Sequence, residues 1–74
     1  MPTAYVTAPP EAADAIARAL VEERVAACVN RLDCESVYRW EGAIEEAEEA
    51  VLLAKTTDAA YDRLVERVRE LHPF

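Results

Sequence analysis

The sequence predicts an α+β domain in which two amphipathic helices pack on one face of an antiparallel sheet. Two observations lead there. Ala13, Ile16, Ala17, Leu20 and Val21 recur at helical spacing, as do Tyr61, Leu64, Val65, Val68 and Leu71, so each set forms one apolar stripe. Before and between the stripes lie short segments of strand-forming residues: Thr3–Thr7, Val25–Leu32 and Ser36–Glu41. In the last of these, Tyr38 and Trp40 stand two residues apart and share a strand face.

Each element has its own signals. Pro9 and Pro10 end the first strand and open the first helix, because proline fits the first turn. Glu11 then sits near the positive end of the helix dipole. This helix fades near Glu23 or Arg24. Val25–Leu32 reads as a buried strand, a loop begins at Asp33, and Ser36–Glu41 is a further strand turned by Gly42. The stretch Ala43–Ala54 opens with Ala-Ile-Glu-Glu-Ala-Glu-Glu-Ala and on local propensity alone is helical. Thr57 or Asp58 is the candidate N-cap of the last helix, and Pro73 stops it.

Seventy-four residues make a single domain, 1–74, which is marginal alone and for which oligomerisation is the natural remedy. The formal net charge of −7 argues against nucleic-acid partners, which need a basic patch, and against anionic lipid. One Lys against seven Arg, with abundant Glu and Ala, suggests a proteome adapted to high salt. No apolar run approaches the roughly 18 residues of a membrane span, and Met1-Pro2-Thr3 lacks the features of a secretory signal. The expectation is a soluble, cytoplasmic protein without membrane partners, whose two cysteines are free thiols.

Two segments in fixed order are more specific: Glu23-Arg24-Val25-Ala26-Ala27-Cys28-Val29-Asn30 and Tyr38-Arg39-Trp40-Glu41-Gly42. They resemble the CutA family of divalent-cation tolerance proteins. The resemblance continues through Thr3-Ala4-Tyr5-Val6-Thr7-Ala8-Pro9, Leu53-Ala54-Lys55-Thr56-Thr57 and Glu66-Arg67-Val68-Arg69-Glu70-Leu71-His72-Pro73, covering essentially the whole chain. It implies a ferredoxin-like fold, here βαββα(β). It also makes Glu48–Thr56, extending back toward Ile44, the return strand of a long hairpin rather than a helix. Phe74 takes the family's aromatic place, but the Glu and the last strand that follow in the family are absent, so the domain reads as C-terminally incomplete. The missing strand lies beside the first in the family, which leaves Thr3–Ala8 as an exposed sheet edge. The resemblance further implies a homotrimer.

The candidate site residues follow from the same resemblance. Cys28 matches a recurrent family cysteine proposed as a copper ligand, and thiolate is a soft donor suited to Cu(I). The competing reading is a small core residue. His72, the one histidine, matches a family position and is either a second metal ligand or a cap on the negative helix end. Such a metal site is sparse and would be completed by Glu, water or another chain. Cys34, six residues past Cys28, falls in the loop at a spacing that is no chelating motif. The trimeric PII signal proteins share this architecture and bind small ligands between subunits. By that analogy Asn30, Tyr38, Trp40 and Lys55 line a cleft, unless the two aromatics simply pack a subunit interface. Lys55 is also placed to pair with a carboxylate such as Glu41. With one Gly, no nucleophile elbow and no placeable Ser-His-Asp set, the chain reads as a non-enzyme. The expected function is copper tolerance through metal binding by a homotrimer; the alternatives are a PII-like small-ligand sensor and a structural scaffold.

Overall fold

A computed structural model describes residues 1–73; the aromatic position assigned to Phe74 lies outside them. The elements are β1 (Thr3–Ala8), α1 (Pro10–Glu22), β2 (Cys28–Trp40), β3 (Ala43–Lys55) and α2 (Tyr61–Leu71). All three strands are antiparallel neighbours in the order β1-β3-β2, so β3 is central. The βαββα order and the placement of both helices on one sheet face are as the sequence predicts.

Register explains the packing. Ala4, Val6 and Ala8 of β1 lie opposite Ala54, Leu52 and Ala50 of β3, and all six are buried. Four of these six inward positions are alanine, which lets the helices approach closely and fill the space with larger side chains. Ile16 and Leu20 from α1 and Leu64 from α2 close over Leu52, and these four are fully buried. Val21, assigned to the apolar stripe, sits at its margin and is 44% exposed.

Two strand boundaries differ from expectation. The loop at Asp33 is absent: Asp33, Cys34 and Glu35 pair with Ala50, Glu49 and Glu48, so one 13-residue strand replaces two. Their polarity marks solvent exposure on an edge strand, which polar side chains tolerate, and not a break in pairing. At the other end Val25–Ala27 is not strand. Arg24 N–H donates to Val21 O (3.1 Å) and Val25 N–H to Leu20 O (3.1 Å), which is the paired arrangement of a Schellman helix end. Its hydrophobic contact is supplied by Val25 and Leu20, both buried. The left-handed residue is Arg24 (φ 61°), where helices usually place glycine.

The Ala43–Ala54 stretch is strand throughout, so pairing overrides its helix propensity, as the family resemblance requires. Glu41 and Gly42, with φ of 50° and 81°, form the two-residue turn, a type I′ geometry whose twist matches that of the flanking strands. The expected N-cap of α2 is also displaced. The helix starts at Tyr61 after Ala60, and Thr57 Oγ1 instead accepts from Ala60 N–H (3.2 Å), capping the turn before it.

Thr56, the one buried polar side chain among the described residues, ties three segments together. Its hydroxyl donates to Val25 O (2.7 Å), its N–H to Pro2 O (3.2 Å), and Ala27 N–H returns to Lys55 O (2.8 Å). The two helices are joined by Arg67, which donates to both carboxylate oxygens of Glu23 (2.7 and 2.9 Å). These bonds hold the Glu23 carboxyl below its usual range and raise Arg67.

Two outcomes follow for stability. Arg24→Gly removes a left-handed side chain that costs about 1 kcal/mol, partly offset by glycine's larger unfolded-state entropy, and should raise the urea midpoint. Because Glu23 binds its proton less readily folded than unfolded, its contribution is complete above the unfolded value near 4.5. That contribution is lost as pH falls through the lowered folded value. Glu23→Gln is therefore expected to destabilise at pH 7, and its unfolding midpoint should converge with that of the parent chain in acid.

Candidate functional site

The helices cover only one face of the sheet, and the other face carries five of the six candidate site residues. Across it, in register, run the rows Thr3–Lys55–Cys28, Tyr5–Leu53–Asn30 and Thr7–Val51–Leu32. Beyond the end of β1 the rows continue with β3 and β2 alone, as Glu49–Cys34, Ala47–Ser36, Glu45–Tyr38 and Ala43–Trp40. Tyr5 (70% exposed), Leu32 (50%) and Trp40 (62%) make this face strongly apolar for a surface.

Cys28 is exposed, not a core residue, because its row points away from α1 and α2. Lys55 is its direct cross-strand neighbour on the same face. The same register places Lys55 at the opposite end of the hairpin from Glu41 in the turn, so the two do not pair within one chain. Cys34 is half-buried in the strand, and six residues of extended chain separate it from Cys28 by about 20 Å, far beyond disulfide reach.

Asn30 does not face the aromatics across a strand pair: it lies on the same strand as Tyr38, eight residues or about 27 Å away. The candidates therefore form two groups. Cys28, Asn30 and Lys55 lie at the root of the sheet, and Tyr38 and Trp40 near the hairpin tip. His72 belongs to neither group. Its backbone N–H closes α2 on Val68 O (2.8 Å), while its ring Nε2 lies 2.6 Å from the carbonyl oxygen of Thr7 and donates to it. The side chain thus engages the edge of β1 as well as ending the helix. Thr7 stands four residues along the strands from the Cys28 row and two strands across the sheet, a separation on the order of 16 Å. One chain does not bring Cys28 and His72 onto one metal ion. Among the described residues no group of three or more His, Cys, Asp or Glu side chains is arranged to hold a metal ion.

Sequence reasoning missed two features. The first is an acidic groove of about 570 Å³ at the root of the hairpin, lined by Pro10, Asp33, Cys34, Glu35, Glu48 and Glu49. The register of β2 against β3 and the start of α1 assemble it, so no local motif announces it. The second is the apolar set Tyr5, Leu32, Val51 and Leu53 on the uncovered face. A signal for it exists: Ala50-Val51-Leu52-Leu53-Ala54 is continuously apolar, the pattern of a strand buried on both faces. Beside the groove Arg31 bonds the carboxylates of Asp14 and Asp33 (the latter 2.7 Å), which fastens α1 to β2 and raises the Arg31 pKa.

This fold, with its three-stranded sheet and bare second face, is that of the PII-like proteins. A solved structure described as "PII-like protein CutA" from Nostoc sp. PCC 7120 in apo form superposes with a TM-score of 0.93 at 40% identity, over 100% of this chain and 71% of that one. The divalent cation tolerance protein (Cut A1) of Thermus thermophilus gives a TM-score of 0.80 at 51% identity, over 95% and 70%. The family model "CutA1 divalent ion tolerance protein" matches residues 3–74, and the chain belongs to that family. Among curated relatives, the divalent-cation tolerance protein CutA of T. thermophilus is 54% identical over 65 residues, 86% of this chain. Protein CutA of Homo sapiens is 45% identical over 73 residues, 96% of this chain. The chain spans 63% of the length of the first and 41% of the second. No described helix is long and apolar enough to cross a membrane.

Proposed function

We propose that this chain is a non-catalytic divalent-cation tolerance protein that assembles as a homotrimer in the cytoplasm and binds copper through Cys28. The observation that carries the reading is the continuous apolar run Ala50–Ala54 in the central strand. Its inward residues are buried by the helices, whereas Val51 and Leu53 face a surface with Tyr5 and Leu32 beside them. Burying that face against further copies favours assembly, at roughly 25 cal/mol for each Å² of apolar surface removed from water. It also supplies what one chain lacks, since donors from several copies can then share a metal. Cys28 lies on this face beside Lys55 as an exposed soft donor. His72 is the weaker second donor, because its ring is engaged at β1.

A second reading, a PII-like sensor of a small ligand, is favoured by the division of the remaining candidates. Asn30 and Lys55 at the root meet Tyr38 and Trp40 at the tip only if the hairpin of one copy lies on the sheet of another. A cleft of that kind would hold a small anion between the lysine and the rings.

Calorimetric titration separates the two readings. Copper is expected to bind the parent chain, and Cys28→Ser to weaken binding by at least about tenfold. Equal copper binding by the parent and Cys28→Ser would remove the metal reading and leave the sensor.

A further inference from the structure

The hairpin beyond the end of β1, residues 34–49, differs from the rest of the molecule in charge and in support. It holds six glutamates, Glu35, Glu41, Glu45, Glu46, Glu48 and Glu49, against the single Arg39, and so carries five of the seven net negative charges of the chain. The ion pairs of the described residues, Arg18–Glu22, Arg31–Asp14, Arg31–Asp33 and Arg67–Glu23, all lie outside it. Register brings the like charges together. Glu35 stands directly opposite Glu48, with Glu46 two residues further along β3 on the same face. On the other face Glu49 and Glu45 stand opposite Cys34 and Tyr38. Like charges directly across a strand pair are destabilising.

Little else holds this arm. β1 pairs only with Ala50–Lys55, so, among the described residues, 34–40 and 43–49 are strand-paired only with each other, and an isolated two-stranded hairpin is marginal in water. Yet it exposes Val37 (66%), Ile44 (59%), Tyr38 and Trp40, apolar side chains on both faces. Burial of those groups favours association, and charge opposes the ordering that association requires.

We propose that dissolved cations gate assembly of this chain by screening the arm: repulsion among its glutamates keeps the hairpin loose at low ionic strength, and screening lets it order against a second copy. The length scales suit this. Facing carboxylates lie well within the Debye length of about 10 Å at 0.1 M salt, which shrinks to about 3 Å at 1 M. The inference rests on the homotrimer reading and adds its regulation.

The test uses light scattering over a dilution series of the full chain, with Trp40, the one tryptophan, reporting on the arm. Parent protein is compared with the triple variant Glu35→Gln, Glu46→Gln, Glu48→Gln in dilute buffer, in about 1 M NaCl, and in MgCl2 matched to that ionic strength. The association constant of the parent is expected to rise about tenfold or more from dilute buffer to high salt. Trp40 emission should shift to the blue over the same range, and MgCl2 should act comparably. The triple variant should associate in dilute buffer as the parent does in high salt, which separates screening from a general strengthening of apolar contacts. An equal salt response in parent and variant would overturn the inference, as would a parent response confined to MgCl2. Three-chain mass in the parent at every salt concentration would overturn it while leaving the homotrimer standing; single-chain mass for both proteins throughout would overturn both.

Discussion

The structure depends on the position of β3. Among the described residues it alone is paired on both sides, and its run Ala50–Ala54 presents apolar side chains to both faces of the sheet. The helices cover one face, and small residues at Ala4, Ala8, Ala50 and Ala54 let them sit close. None of the described residues covers the other face. The surface chemistry of the molecule follows from that asymmetry: Cys28, Asn30, Lys55, Tyr38 and Trp40 all lie on the side the helices leave bare.

The body is held in place by polar contacts at its margins. Thr56 fastens the end of β3 to Pro2 and Val25, the Schellman end of α1 directs the chain back into β2, and Arg67 clamps α2 to Glu23. The buried Thr56–Val25 bond weighs most among these. Losing its hydroxyl would leave a carbonyl unpaired in the interior, which costs about 1–3 kcal/mol, whereas an exposed ion pair is screened by water and salt and contributes less. Among the described residues the hairpin arm has no comparable fastening.

Much of this was legible in the sequence. The apolar stripes gave both helices, proline marked their boundaries, and the alternation of Tyr38 and Trp40 placed them on one face. Local rules failed where tertiary pairing decides. The Ala-Glu stretch of β3 is helix by propensity and strand by its neighbours, and the polar Asp33-Cys34-Glu35 looks like a loop but is paired throughout. The site was legible residue by residue but not as a whole. Which residues share a face follows from parity, while the distances from Cys28 to His72 and from Asn30 to Tyr38 follow from strand length, and the loop predicted at Asp33 concealed it. Membership of the CutA1 family fixes the fold more firmly than the chemistry, because the candidate donors of this chain are spread along 13-residue strands.

The account is tested most directly by the native mass of the chain and of Leu53→Glu, measured by light scattering in high salt alongside far-ultraviolet circular dichroism. Leu53 lies at the centre of the uncovered face, outside the helix-packed core. The account predicts the mass of three chains for the parent and of one for Leu53→Glu, with the secondary structure of the body retained. Single-chain mass for a parent that unfolds cooperatively, or an unchanged three-chain mass for Leu53→Glu, would contradict it.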